Sequence, residues 1–330
     1  MRFHKLPIVS VDRLCADAVA VTFDADFGFL AGQHVTLRLG EERRQYSICA
    51  AVGSPLRIGV RWVDGGVFST YLVDQARPGD VMEVSEPQGK FTPARRGHHG
   101  LIVAGSGITP ALSIAATELA AGSRVTLLYG NRRTDTVMFV DELADLKDRY
   151  PTRFQLVHVL SREPRDVELF TGRLDAVKLR ELFSTVVPAA DIDEWWLCGP
   201  YEMVRAAREV LGDRVPVHHE LFYVDEPPPP VRRVAEPVEG GVGTVVLDGR
   251  TTSVPLPAGV SILDAAQRVR ADLPFACKGG VCGTCRARVV AGRVEMRRNY
   301  ALDEDEVAAG FVLTCQAVAC TPAVTVDYDA

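Results

Sequence analysis

Four of the eight cysteines in this 330-residue chain have a spacing suited to a metal cluster. Three lie in one glycine-rich loop, "FACKGGVCGTC", and the fourth follows in "VLTCQ". They are Cys277, Cys282, Cys285 and Cys315. Plant-type 2Fe–2S clusters are held by the same C-x4-C-x2-C…C spacing, since three thiolates can come from one tight loop and the fourth from a segment folded against it. The sequence therefore predicts a 2Fe–2S cluster.

A structural zinc ion is the alternative for these thiols. Zinc sites usually combine paired C-x2-C units or Cys/His pairs, whereas here one spacing is x4 and Cys315 stands alone. The glycines of the loop allow it to bend and to point backbone N–H groups at sulfur, which also favours the cluster. Cys15, Cys49 and Cys320 are interpreted as core or surface residues.

Two segments near the start could bind an aromatic cofactor that carries phosphate. They are "RRQYS", with Arg44, Tyr46 and Ser47, and "DGGVFSTYL", with Gly65, Gly66 and Ser69. Small residues let the backbone approach a pyrophosphate closely, and the Ser69 hydroxyl can donate to it. Tyr46 alone would be explained equally well as an ordinary strand aromatic, so the prediction depends on both segments together.

A glycine loop follows the apolar segment "LIVAG". It reads Gly105-x-Gly107-x-x-Pro110 and so departs from the full G-x-G-x-x-G fingerprint. The glycines allow a tight turn, Thr109 can cap the following helix, and Pro110 suits a first helical position. The N–H groups and dipole of such a helix attract a pyrophosphate, which predicts a dinucleotide site.

The residues after the next two predicted strands favour NADPH over NADH. An NAD site usually has Asp or Glu there, but this chain has Arg132 after Asn131, and then Ser161 and Arg162. Arginine donates bidentately to a 2′-phosphate. The alternative is that Arg132 and Arg133 are ordinary surface residues.

The pattern of elements predicts a multidomain protein. Short β-rich runs separated by turns, without a clear amphipathic helix, indicate an antiparallel β-barrel over residues 1–98. Strands and helices then alternate five times, which predicts a doubly wound parallel α/β domain over residues 99–226. A Pro-rich linker (227–241) precedes an α+β, β-grasp domain (242–330) that carries the four cysteines.

Composition limits the classes of partner. The net charge of −6, with acids and bases interspersed, argues against nucleic acid or a membrane surface as a partner. No run reaches the ~18 apolar residues of a membrane span. No signal peptide is visible, and eight cysteines suit a reducing compartment, so we expect a cytoplasmic protein.

The order of these motifs resembles the ferredoxin–NADP reductase superfamily with a C-terminal plant-type ferredoxin domain. The resemblance implies that Arg44 pairs with the flavin phosphate, Tyr46 stacks on the isoalloxazine and Ser47 hydrogen-bonds near N5. Ala50 departs from the pattern, which often has a hydroxyl residue there. The residues that the resemblance places beside the nicotinamide and the flavin ring are Cys198, Gly199 and Pro200, followed by Glu220 and Phe222. FAD is favoured over FMN by the resemblance alone.

A flavin can accept a hydride and release single electrons, so it must lie between the nucleotide and the cluster. The predicted path is NADPH to FAD to 2Fe–2S to a partner that oxidises the substrate. The chain looks most like the reductase subunits of phenylacetyl-CoA epoxidases, in "YGNRRTDTVMFVDELADLKDRYPTRF", "HVLSREPRDVELFTGRLD" and "NYALDEDEVAAGFVLTCQ". That resemblance implies a diiron oxygenase component as partner. The alternatives are a reductase for another oxygenase, hydroxylase or desaturase, and a flavin/iron–sulfur sensing or interaction module.

The charges near the cluster loop suggest how the partner docks. The basic residues are Lys278, Arg286, Arg288, Arg293, Arg297 and Arg298, against the single acid Glu295. We expect a basic rim around the cluster that meets an acidic patch on the oxygenase. The alternative is a scatter of solvated charges on both faces of the strands.

Overall fold

The computed structural model describes residues 2–40, 42–223 and 240–330. The predicted linker falls almost wholly outside these described residues. The chain divides into two compact units, one of which is Arg2–Tyr223 and the other of which contains residues 240–330. No helix in the described ranges is both long enough and apolar enough to cross a membrane.

The first sheet of the unit Arg2–Tyr223 is antiparallel, as the sequence predicts. Its strands are β1 (Phe3–Cys15), β2 (Ala18–Phe23), β3 (His34–Leu39), β4 (Glu42–Ser47), β5 (Arg57–Arg61) and β6 (Val81–Ser85). They lie in the order β4-β3-β6-β1-β2-β5, and an antiparallel bridge between Ile48 and Ile58 joins the end of β4 to β5. This bridge brings the two edges of the sheet together around an apolar core that includes Val35, Leu37 and Ile58.

A helix that the sequence did not predict follows β5. It is α1 (Val67–Thr70), continued by a π-helical turn at Tyr71–Gln75. Phe68 and Leu72, four residues apart, are buried against the sheet. The segment buries too few apolar side chains to show a helical period in the sequence.

The second sheet is parallel and doubly wound, which confirms the predicted fold class. Its strands are β7 (His98–Ala104), β8 (Arg124–Asn131), β9 (Phe154–Leu160), β10 (Glu194–Pro200) and β11 (Val217–Tyr223), and its helices are α2 (Ile108–Ala120), α3 (Val140–Arg149), α4 (Ala176–Thr185) and α5 (Tyr201–Leu211). In the order β11-β10-β7-β8-β9, successive strands are added outward from β7 in one direction and then, from β10, in the other. The topological switch point therefore lies between β10 and β7. Ligands of such sheets bind at the carboxyl ends of the strands beside that switch.

The unit that contains residues 240–330 is an α+β domain. Its elements are β12 (Gly241–Leu247), β13 (Arg250–Leu256), α6 (Ile262–Gln267), β14 (Arg286–Ala291), β15 (Val294–Met296), α7 (Glu304–Ala308), β16 (Phe311–Leu313), β17 (Ala317–Ala319) and β18 (Ala323–Asp327). Five strands form a mixed sheet, β13-β12-β18-β14-β16, while β15 and β17 form a small second one. Asp248 and Gly249, between β12 and β13, both have positive φ, as a two-residue hairpin turn requires. The Ser261 side chain caps α6.

Candidate functional site

The glycine loop lies at the carboxyl end of β7. Gly105 has φ +55°, and residues Gly105–Gly107 form a single 3-10 turn before α2. A Cβ on Gly107 would lie 2.1 Å from the carbonyl oxygen of Cys198. The loop therefore needs glycine there because it packs directly on the end of β10.

The start of α2 differs from the prediction. Gly107 is the N-cap residue and no side chain caps the helix. Thr109 is instead the second helical residue, and its Oγ1 donates to the Ser106 carbonyl at 2.9 Å. Pro110 is the third residue rather than the first. The Ile108 N–H already donates to the Gly105 and Ser106 carbonyls, so the start of this helix is stabilised by its own backbone rather than by a side-chain cap.

The three residues predicted to select NADPH come together beyond the ends of β8 and β9. The Arg162 N–H donates to the Arg132 carbonyl at 2.8 Å, and the Ser161 N–H donates to the Asn131 carbonyl at 2.9 Å. Arg132 and Arg162 are exposed, and neither side chain has an ion-pair partner within the described ranges. Arg133, by contrast, pairs with Asp135 at 3.3 Å. The backbones of the two segments that carry Arg132 and Arg162 are therefore adjacent at this edge of the sheet.

The "RRQYS" segment forms β4. Its register with β3 places Ser47 opposite His34 and Tyr46 opposite Val35. Ser47 is buried, the Tyr46 ring is half-buried, and burial raises the pKa of Tyr46. Arg44 is exposed, with Nη1 2.8 Å from the Arg43 carbonyl. The strand thus presents an aromatic face next to a buried hydroxyl.

The second flavin segment is organised by its own serine. The Ser69 Oγ accepts a hydrogen bond from the Val63 N–H at 3.1 Å. A Cβ on Gly66 would lie 2.4 Å from the same oxygen, and Gly65 has φ +68°. Both glycines are therefore required for this turn, which leads directly into α1.

The ends of β10 and β11 bring Cys198 and Glu220 together. They are register partners in the parallel pair. Cys198 is fully buried, and burial raises the pKa of its thiol well above the usual range, so the thiol is neutral. Burial also raises the pKa of Glu220 to about 8. Gly199 and Pro200 follow Cys198 in β10, and Phe222 is 38% exposed near the end of β11.

His34 is a member of this group that the sequence did not reveal. Its Nδ1 lies 3.9 Å from Glu220 Oε1, and its Nε2 lies 2.8 Å from the Gln45 amide nitrogen. Burial lowers the pKa of His34 to about 4. Since Nε2 accepts from Gln45, the neutral ring carries its proton on Nδ1, facing Glu220. A lone histidine at the start of a strand gives no indication in the sequence that it will meet a carboxyl almost 190 residues later.

The four predicted cluster cysteines meet as two pairs. Cys277 is hydrogen-bonded with Cys282, and Cys285 with Cys315. The bond from the Cys282 thiol, assisted by backbone N–H groups, lowers the pKa of Cys277 to about 5. Two thiol pairs fit a cluster with two metal atoms and two cysteines on each.

The basic residues near the cysteine loop do not form a continuous rim. Lys278 pairs with Asp264 at 2.9 Å, and Arg286 pairs with Glu306 at 3.0 Å. The Arg297 side chain donates to the Gly259 carbonyl. The acidic first turn of α7 lies beside Arg286, and the sequence interpretation did not include it. The surface is therefore mixed in charge, closer to the alternative interpretation than to the expected rim.

Family models match three consecutive parts of the chain. They describe an oxidoreductase FAD-binding domain at residues 5–92, an oxidoreductase NAD-binding domain at 101–209, and a 2Fe-2S iron-sulfur cluster binding domain at 245–320. One component of the 1,2-phenylacetyl-CoA epoxidase of Escherichia coli (strain K12) is 43% identical over 99% of this chain and 98% of its own length. The chain belongs to the family of flavin- and 2Fe–2S-containing oxygenase reductases.

Two further relatives support the family assignment. The ferredoxin reductase component of 3-ketosteroid-9-alpha-monooxygenase from Mycobacterium tuberculosis is 34% identical to this reductase. The similarity covers 91% of the present chain and 86% of the mycobacterial relative. The solved structure of phthalate dioxygenase reductase has a TM-score of 0.63 and 25% identity, with 98% of both chains covered. The reductase is therefore an oxidoreductase with FAD-, NAD- and 2Fe–2S-binding domains.

Proposed function

We propose that this reductase carries electrons from NADPH through FAD and a 2Fe–2S cluster to the diiron oxygenase component of a phenylacetyl-CoA epoxidase. The main support is the 43% identity to a component of the Escherichia coli epoxidase across nearly all of both chains. The 3-ketosteroid monooxygenase relative is only 34% identical. The cysteine-ligated cluster suits a reducing compartment such as the cytoplasm.

The nucleotide preference is argued from the edge formed by β8 and β9. Arg132 and Arg162 would bind the 2′-phosphate of NADPH, and Ser161 would donate to it. Gly105, Gly107 and the start of α2, at Thr109 and Pro110, would hold the pyrophosphate.

The flavin site is argued from β4, the α1 turn and the end of β11. Tyr46 would stack on the isoalloxazine, Ser47 would bond near its N5, and Arg44 would reach the phosphate. Gly65, Gly66 and Ser69 would line the pyrophosphate, and Phe222 would cover the ring. A bound flavin accepts two electrons from a hydride and passes them on singly.

The partly buried Glu220 and the buried Cys198 determine where the chain itself holds protons near this ring. Glu220 holds a proton on its carboxyl at neutral pH because burial raises its pKa to about 8. The neutral Cys198 thiol packs without acting as a base or nucleophile. Together with Gly199 and Pro200, Cys198 would line the binding site of the nicotinamide. The carboxyl of Glu220 is therefore suited to a proton-holding role.

The test begins with the purified protein under anaerobic conditions. We expect flavin bands with a 2Fe–2S shoulder, both bleached faster by NADPH than by NADH, and FAD rather than FMN on release. A colourless protein, or one that neither nucleotide bleaches, would overturn the cofactor assignment. Faster bleaching by NADH would overturn only the nucleotide preference.

The partner is tested by reconstitution. The reductase is mixed with the oxygenase components of a phenylacetyl-CoA epoxidase, and separately with a 3-ketosteroid monooxygenase, and product is measured with NADPH. We expect coupled epoxidation in the first mixture only. Turnover in the second alone would establish the runner-up, a reductase for another oxygenase, which the 34% identity already supports.

A further inference from the structure

The side chain of Gln316 lies between the two segments that supply the cysteines. Its Nε2 is 2.8 Å from the Lys278 carbonyl oxygen and 3.6 Å from the Cys315 sulfur. Gln316 is 8% exposed. An amide has two N–H donors, so one group can satisfy both contacts at once. Gln316 thus connects the Cys277–Cys282 loop to the strand end that carries the fourth cysteine.

The carbonyl that Gln316 binds belongs to a strained residue. Lys278 has φ +51°, a left-handed conformation unfavourable for a residue with a Cβ. This conformation turns the next N–H, that of Gly279, onto the Cys277 sulfur at 3.3 Å. A bond to the Lys278 carbonyl therefore stabilises a turn that itself delivers a donor to a second sulfur.

The fit around the amide is close. A Cβ on Gly280 would lie 3.1 Å from Gln316 Cγ, so the loop backbone packs against the glutamine side chain. A hydroxyl also contacts a predicted cluster sulfur: Thr284 Oγ1 lies 3.1 Å from the Cys282 sulfur. Gln316 contributes a side-chain amide as donor to a predicted cluster sulfur, that of Cys315.

Donors to cluster sulfur affect reduction. Reduction adds negative charge to the thiolate-ligated cluster, and an N–H donor stabilises that charge. We propose that Gln316 is a positioning residue that raises the reduction potential of the cluster and slows its loss, through its bonds to Cys315 and to the Lys278 carbonyl. The inference rests on the 2Fe–2S assignment and is independent of the oxygenase partner.

Two substitutions test the proposal on the full chain with its cofactors. Gln316→Met keeps the volume but removes the donors, and Gln316→Glu also adds negative charge beside the sulfur. Potentials are measured by EPR-monitored redox titration without nucleotide or partner. We expect the midpoint potential to fall in the order wild type, Gln316→Met, Gln316→Glu. Cluster loss to a chelator should quicken by about two- to tenfold, the effect of one lost hydrogen bond.

The control is the same change elsewhere in the domain. Gln267→Met removes a half-buried amide from α6 that has no contact with the cysteines in the described structure, and it should leave the potential unchanged. Wild-type midpoint potentials in both Gln316 variants would overturn the proposal. If Gln316→Met fails to hold the cluster, pulsed EPR of wild-type protein with 15N-labelled glutamine amides decides. The reduced cluster should show a 15N coupling, and its absence would also refute the proposal.

Discussion

The two candidate sites of this reductase are assembled in opposite ways. Three of the four cluster cysteines come from nine consecutive residues, Cys277 to Cys285, and the fourth is fixed by neighbouring strands. The flavin and nucleotide site of the first unit instead collects the ends of β3, β4, β7, β10 and β11. A local site can be recognised from spacing, whereas a site built from strand ends depends on sheet order and register.

The thiols in the two sites show the same contrast in electrostatics. Cys198 is buried without a compensating donor, so the pKa of its thiol is raised and it stays neutral. Cys277 lies exposed in its loop, and the bond from Cys282 and three backbone N–H groups lower its pKa to about 5. Burial together with the arrangement of donors, and not the residue type, decides which thiol is ready to bind a metal.

The largest effect expected is at the cluster, where two nearby cysteines can be compared. Cys315→Ser should abolish the 2Fe–2S absorbance and EPR signal, while flavin reduction by nucleotide continues. Cys320→Ser is the control, because Cys320 is buried in the same domain and its thiol donates to the Val318 carbonyl. A Cys315→Ser protein with an intact cluster, or a Cys320→Ser protein without one, would break the assignment of ligands.

The next effect is on stability, at the point where the glycine loop meets β10. Gly107→Ala places a Cβ 2.1 Å from a backbone oxygen that cannot move freely. We expect a loss of about 3 kcal/mol or more in the free energy of unfolding, the upper range for overpacking. Gly28→Ala, where no atom lies within 4 Å of the added Cβ, should be neutral. Urea unfolding of both variants provides the measurement, and equal stabilities would contradict the close packing.

The fold could be predicted from the sequence wherever a regular period extended over a whole element. The alternation of strands and helices predicted over residues 99–226 is observed as strands β7 to β11 and helices α2 to α5. The short elements α1, β15, β16 and β17 were missed, because three or four residues show no period. The antiparallel barrel and the doubly wound sheet followed from the alternation of longer elements.

The sites were predictable to a different degree. The four cysteines came from spacing alone. In the first unit, glycine and serine motifs marked the loops, but nothing marked His34, since its neighbour Glu220 is supplied by another sheet. Gln316 was hidden for a related reason: it follows Cys315 directly, yet its role depends on the Lys278 backbone from the opposite segment. Polar residues placed by long-range packing lack a sequence period.

Nucleotide choice gives the next prediction, with a smaller effect. Arg162→Gln should raise KM for NADPH by about tenfold, the effect of losing a charge-assisted hydrogen bond, and should leave kcat and the KM for NADH unchanged. Arg133→Gln is the matched control, since Arg133 already pairs with Asp135. Steady-state kinetics with both nucleotides measures this. An equal rise in the KM for NADH would show that Arg162 does not act through the 2′-phosphate.

The smallest effect is a pH dependence from the neutral pair His34 and Glu220. Burial raises the pKa of Glu220 from 4.5 to about 8, so its stabilising contribution is present below pH 4.5 and is lost as pH rises to 8. Burial lowers the pKa of His34 from 6.5 to about 4, so its contribution is present above pH 6.5 and is lost as pH falls. Below pH 6.5, Glu220 and His34 change the free energy of unfolding with pH in opposite directions. Above pH 6.5, only the pH dependence from Glu220 remains.

The window from pH 6.5 to 8 therefore isolates Glu220. In cofactor-free wild-type protein, the free energy of unfolding should fall across it by about 1.5 kcal/mol, since one group contributes at most ~1.4 kcal/mol per pH unit. Glu220→Gln should remove this fall, and His34→Gln should leave it in place. Urea unfolding followed by the fluorescence of the buried Trp195 and Trp196 measures the slopes. Equal slopes in wild type and Glu220→Gln would mean that Glu220 is already ionised at pH 6.5. The carboxyl would then be paired with a charged His34, and this site would resemble the charged cysteine loop rather than contrast with it.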